Sequence, residues 1–154
     1  PYEMKKVLII FCLLFSISRA VDVTNLSVIS LNRDTLKLHQ IIDNDQPTFI
    51  YLWATWCHVC RKDMPKMIRF FEQQSGVRFI PIAYRESSTI VKKFLHENGH
   101  QLNTFIDYSG EVFNEFGVES TPTVVILDQN KHIVFNGYKS IRYYGKILKK
   151  LISE

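Results

Sequence analysis

Apolar and polar positions alternate along this chain in two periods, and the changes of period mark its elements. Around the polar turn Asn32-Arg33-Asp34, the loosely alternating Val28, Leu31, Leu36 and Leu38 predict a hairpin running into a short helix near His39 to Ile42. The run Thr48 to Ala54, TFIYLWA, is almost wholly apolar, rich in strand formers and too short for a helix, which predicts a buried parallel strand. Val59, Met64, Met67, Ile68 and Phe71 then fall at helical spacing, with Gly76 placed to stop the chain before a strand over Val77 to Tyr84. Pro65 predicts a kink in that helix. Pro81 predicts a strand end or a bulge, because a proline removes a ladder donor. Ser87 or Ser88 can cap a helix carrying Ile90, Val91, Phe94 and Leu95 and closed by Gly99.

A short strand near Thr104 to Ile106 and a helix of one or two turns over Glu111 to Phe116 follow. Thr123 to Leu127 and His132 to Asn136 read as two strands whose four-residue link, Asp128 to Lys131, forces an antiparallel hairpin. Ile141, Tyr144, Leu148, Leu151 and Ile152 stripe a closing helix, with Lys149 and Lys150 in its last turn, where the dipole favours cations. The succession of strands and helices is that of one α/β layered domain with a mixed sheet.

Composition narrows the function classes. The 154 residues are 46% hydrophobic and 13% aromatic, which excludes disorder, and carry a formal net charge of +4. Lys5, Lys6 and Arg19 stand against Glu3 in the first 20 residues, leaving 16 basic and 14 acidic side chains, too even for a nucleic-acid footprint. The 6 glycines are too dispersed for a phosphate-binding loop.

Met4, the lysine pair, the apolar run Val7 to Phe15 and Ser18-Arg19-Ala20 form the pattern of a secretory signal peptide. The reading is therefore a leader over residues 1–20, Pro1 to Glu3 lying ahead of the start methionine, and a single domain over 21–154. The alternative is an uncleaved inner-membrane anchor, although the run to Ile17 is short of the roughly 20 residues a span needs. Cleavage after Ala20 removes Cys12 and leaves Cys57 and Cys60 as the whole thiol inventory in an oxidising compartment. Asn25-Leu26-Ser27 fits a glycosylation acceptor, relevant only to a eukaryotic secretory route.

The chemistry lies in WATWCHVC, Trp53 to Cys60, where a strand hands over to a helix. Spacing of i and i+3 puts both sulfurs on one side of the first turn. There Cys57 meets unpaired N–H groups and the positive end of the helix dipole, which favour the thiolate, the form that attacks. Cys60, one turn inside, can expel a mixed-disulfide partner by attacking the Cys57 sulfur.

Two other readings compete. A structural staple closing one helical turn would restrain the unfolded chain little. A metal-binding carrier would use Cys57, Cys60 and a histidine such as His58, but a closed zinc site wants four ligands. His58 beside the nucleophile would, if cationic, stabilise the thiolate and favour a disulfide-donating oxidase; otherwise it is a solvated side chain. His96-Glu97-Asn98-Gly99-His100 matches a zinc-protease pattern, but Gly99 falls inside the spacing and breaks the helical face that two ligands must share.

With Pro65 eight residues after Cys57, and Ser120-Thr121-Pro122-Thr123 ahead of an apolar strand, the chain resembles the thioredoxin superfamily from about Asn25 onward. The WATWCxxC form, the N-terminal hairpin and the extra strand-helix segment near 103 to 116 resemble its TlpA/ResA/CcmG branch, exported bacterial thiol-disulfide oxidoreductases. The resemblance implies a thioredoxin-like fold whose central mixed sheet is flanked by helices, with that strand-helix insertion placed before the cis-proline strand. It also implies Cys57 as the attacking and Cys60 as the resolving cysteine, Trp56 beside the sulfurs, Trp53 in the core, and Pro122 as a cis-proline. A cis bond there leaves the backbone of Thr121 free to pair with a client segment.

Two departures stand out: Tyr51 replaces the buried Asp of thioredoxins, and His58-Val59 lacks the proline common between the cysteines. Glu86, in AYRESS, stands where the branch often has a Glu, as a candidate general acid/base for Cys60 or a solvated carboxylate at a helix start. The expected activity is periplasmic reduction of client proteins, extending to apocytochrome c, with no cofactor and with regeneration by a membrane electron donor of DsbD type.

Overall fold

The computed structural model describes residues 21–42 and 45–153; the expected leader over residues 1–20, with Cys12, lies outside them. The chain runs β1 (Ser27–Ser30), β2 (Thr35–Lys37), α1 (Leu38–Ile41), β3 (Thr48–Trp53), α2 (His58–Glu72), β4 (Arg78–Tyr84) and α3 (Ser88–Glu97). It continues through β5 (Phe105–Asp107), α4 (Glu111–Glu115), β6 (Thr123–Leu127), β7 (Ile133–Gly137) and α5 (Ile141–Ser153). Seven strands form one mixed sheet in the order β2-β1-β5-β4-β3-β6-β7. The fold is α/β and thioredoxin-like, with the expected hairpin and strand-helix insertion in place.

Every residue of β3 is buried because both faces of the sheet are covered. Phe49, Tyr51 and Trp53 point to the side of α2, α3 and α5, where Met64, Met67, Val91, Leu95, Tyr144 and Leu148 meet them. Ile50 and Leu52 point the other way, onto Leu38 and Ile41 of α1 and Val112 and Phe113 of α4. Burial on both faces explains why β3 reads as a continuous apolar run rather than an alternating one.

The expectation for Pro81 needs adjusting. Pro81 lies inside β4, paired with Tyr51 in unbroken parallel register, and marks neither an end nor a bulge. A strand residue points its N–H and C=O to the same edge, and the Pro81 carbonyl accepts from Thr104 Oγ1 at 3.0 Å, just ahead of the first β4–β5 pair, Ile82 with Phe105. The absent donor therefore faces the approach to β5, where no ladder partner waits. Pro65 lies within α2, which runs unbroken from His58 to Glu72. The irregularity in this half of the sheet falls instead between Ile126 and Leu127, in the β6–β7 pairing.

Ser87, not Ser88, caps α3, its Oγ accepting from the Ile90 N–H at 3.3 Å. That helix ends at Glu97, and Gly99 has φ +64°, so His96 and His100 do not share a helix face.

Candidate active site at the β3–α2 junction

Strands β3, β4 and β5 are parallel, so their carboxyl ends share one edge of the sheet, and antiparallel β6 brings its amino end there. This topology gathers Cys57, Glu86 and Pro122 from segments far apart in the chain. The register pairs Leu52 with Thr123, which places Pro122 beside the end of β3.

Cys57 is the N-cap of α2, and its Sγ accepts from the Cys60 N–H at 3.1 Å. A sulfur in that position neutralises one of the helix's orphan donors and lies at the positive end of its dipole. It is bonded to Cys60 in a disulfide whose Cα atoms are 5.2 Å apart. Cys60 is fully buried, whereas Cys57 keeps 6% of its surface, so Cys57 is the less enclosed of the two. Trp56 is 62% exposed next to it, and His58 is exposed as the first residue of α2. The Thr121–Pro122 bond is cis, with Thr121 half-buried and Pro122 buried. Trp53 is core, its Nε1 donating to Thr104 Oγ1 at 3.1 Å.

Glu86 is not a solvated carboxylate at a helix start. It is buried, with Oε2 accepting from the Thr55 backbone N–H at 2.8 Å and Oε1 from the Thr55 hydroxyl. The Thr55 carbonyl in turn accepts from Arg61 Nε at 2.6 Å, and the Arg61 guanidinium lies 5.8 Å from the centre of the Phe94 ring. Every polar group of Thr55 is thereby held, and the loop that presents Trp56 and Cys57 is clamped between an anion and a cation. Thr55 and Arg61 were not singled out from the sequence. The available signal was Thr55 itself, a hydroxyl between Trp53 and Trp56 in an otherwise apolar run.

Tyr51, in place of a buried carboxylate, sets a different polar environment behind α2. Its ring is fully buried and its hydroxyl has no hydrogen-bond partner among the described residues. Burial, and then the nearby Asp63, hold its phenol well above the usual tyrosine range. Asp63 accepts from the Tyr138 hydroxyl and pairs with Lys66 at 3.5 Å. Burial also pushes Tyr144 up to about 12.

A reactive-site disulfide spanning one turn at the start of a helix, on this fold, defines the class of thiol-disulfide oxidoreductases. Residues 19–136 match the AhpC/TSA family, and the chain belongs to it. It is 27% identical over 135 residues to a thioredoxin-like protein of Haemophilus influenzae, covering 86% of this chain and 78% of that one. It is 28% identical over 107 residues to the thiol-disulfide oxidoreductase ResA of Bacillus thuringiensis, covering 67% of this chain and 62% of the relative. Among solved structures, DsbF from MTB superposes with a TM-score of 0.71 at 18% identity, over 83% of this chain and 96% of that one. StoA from Bacillus subtilis superposes at 0.66 and 18%, over 84% and 96%.

Proposed function

We propose that this chain is an exported thiol-disulfide oxidoreductase that reduces disulfides in client proteins. One observation carries the reading: Cys57, which keeps 6% of its surface, caps α2 with its sulfur while its bonded partner Cys60 is fully buried. In the reduced form, the Cys57 thiolate attacks one sulfur of a client disulfide, and the client's other sulfur leaves as a thiolate. Cys60 then loses its proton and attacks Cys57, re-forming the Cys57–Cys60 bond and releasing the client as a dithiol; two electrons pass to the client.

Glu86, behind Thr55, is the general base for the Cys60 proton, and Trp56, His58, Thr121 and Pro122 form the surface that meets the client. The sequence pattern of a leader supports a periplasmic location; a DsbD-type donor and apocytochrome c as a client are what the TlpA/ResA/CcmG resemblance implies. No helix among the described residues is long and apolar enough to cross a membrane.

Cys60→Ser is expected to accumulate a client mixed disulfide that Cys57→Ser never forms, read by non-reducing electrophoresis. Glu86→Gln is expected to flatten the pH dependence of resolution. A redox titration against glutathione sets the direction, with a potential well below that couple supporting a reductase and one well above it a disulfide donor; 30 mV corresponds to about 1.4 kcal/mol.

A further inference from the structure

The residue that follows β4 breaks the alternation of the strand. Ile80, Ile82 and Tyr84 pack toward α1 and α4, and Ala83 packs toward α2, α3 and α5. An extended continuation would send Arg85 to the face of Ala83. Instead Arg85 has φ +50°, in the left-handed region, and its guanidinium lies over the ring of Tyr84 at 5.2 Å. The chain turns at this residue, and Glu86 emerges toward the end of the neighbouring strand β3, where it accepts the Thr55 N–H at 2.8 Å.

Any residue with a Cβ disfavours the left-handed region. The other two non-glycine residues that adopt it among those described, Arg33 and Lys131, lie in the β1–β2 and β6–β7 turns, where the chain reverses. Arg85 lies in no hairpin; it joins a strand to the segment that carries Glu86. Its conformation is held from the β5–α4 turn. The Arg85 N–H donates to the Asp107 carbonyl at 2.9 Å, and Nε donates to the Ser109 carbonyl at 3.3 Å. Gly110 leaves the room, since a Cβ there would come within 2.6 Å of Arg85 Nε. Backbone strain of this kind persists only where the surroundings over-determine it.

We propose that Arg85 is a positioning residue whose left-handed backbone, held by the Ser109–Gly110 turn, aims Glu86 at Thr55, a role that rests on the reading of Glu86 as the base for the Cys60 proton.

The test mixes reduced protein with a disulfide-bonded peptide and follows the mixed disulfide as it forms and decays, at a series of pH values, by acid quenching and non-reducing electrophoresis. Arg85→Val, whose branched Cβ resists the left-handed region, is expected to slow decay about tenfold at neutral pH and to flatten its pH dependence toward that of Glu86→Gln. Arg85→Gly adopts that region freely and is expected to return the pH dependence of the parent. The charged residues tied to this segment, Arg61 through the Thr55 carbonyl and Asp107 through the Arg85 N–H, stay the same in every variant. Should Arg85→Val not fold, Arg85→Ala carries the same comparison with Arg85→Gly.

A parent-like decay profile in Arg85→Val beside a flat one in Glu86→Gln overturns the positioning role and leaves the base in place, even where the unfolding midpoint of Arg85→Val falls. A profile as flat in Arg85→Gly as in Arg85→Val also overturns it, because the effect then belongs to the guanidinium and not to the backbone. A parent-like profile in Glu86→Gln overturns the reading of the base, and the positioning role with it.

Discussion

Two carboxylates are buried at the same edge of the sheet, Asp107 at the end of β5 and Glu86 just past β4, and they differ in where their donors come from. Asp107 accepts from the backbone N–H groups of Gly110 at 2.9 Å and Phe113 at 3.0 Å, all within its own loop and the start of α4. Glu86 accepts both its bonds from Thr55, 31 residues away in the loop that leads into Cys57. The first closes a local turn. The second ties a neighbouring strand end to the site. Burial of an acid is therefore not in itself the mark of function here; the distance along the chain to its donors separates a cap from a link.

The largest expected effect is on the structural side. Asp107→Ala leaves the Gly110 and Phe113 donors without their acceptor and is expected to cost about 2–4 kcal/mol in urea unfolding. Glu86→Gln keeps an acceptor for Thr55 and should cost clearly less. A reversal of that order would break the comparison.

Thr55→Val removes one of the two donors to Glu86, at an expected cost of about 1–2 kcal/mol. If the carboxylate acts on exchange through this loop, the pH profile of mixed-disulfide resolution shifts in Thr55→Val and returns in Thr55→Ser. A profile identical in all three proteins would reduce Glu86 to a second structural acid.

The smallest effect sharpens the contrast through pH. Burial pushes the Asp107 carboxyl above its ordinary 3.8, against the pull of the Phe113, Gly110 and Val112 N–H groups. With the folded value raised, the native state binds the proton more tightly than the unfolded chain. The stabilising contribution is complete below about 3.8 and is lost as pH rises through the folded value. The stability of the parent relative to Asp107→Asn should thus improve on acidification from pH 7 toward pH 4, measured by unfolding at each pH.

The legible parts of this protein are those in which one segment suffices. The apolar run of β3, the helical spacing in α2 and the polar turn of the N-terminal hairpin each announce their element. Cys57 and Cys60 announce their disulfide, because a pair at i and i+3 needs only a helix start to bring the sulfurs together. Pro81 was misjudged for the opposite reason: the consequence of its missing donor depends on where β5 begins, which is a matter of neighbouring strands. Thr55 and Arg61 were missed because a threonine and an arginine gain meaning here only from a carboxylate on another strand.

Local order, element type and the bonded cysteine pair follow from the chain's own periodicity and spacing, since backbone propensity and helix-end polarity act over a few residues. What packing alone decided is the company each group keeps: Glu86 on Thr55, Asp107 on its own turn, and the phenol of Tyr51 enclosed without a hydrogen-bond partner among the described residues. Those outcomes depend on which strand ends meet at one edge of the sheet, and desolvation and hydrogen bonding there are set by distances in space that separation along the chain does not encode.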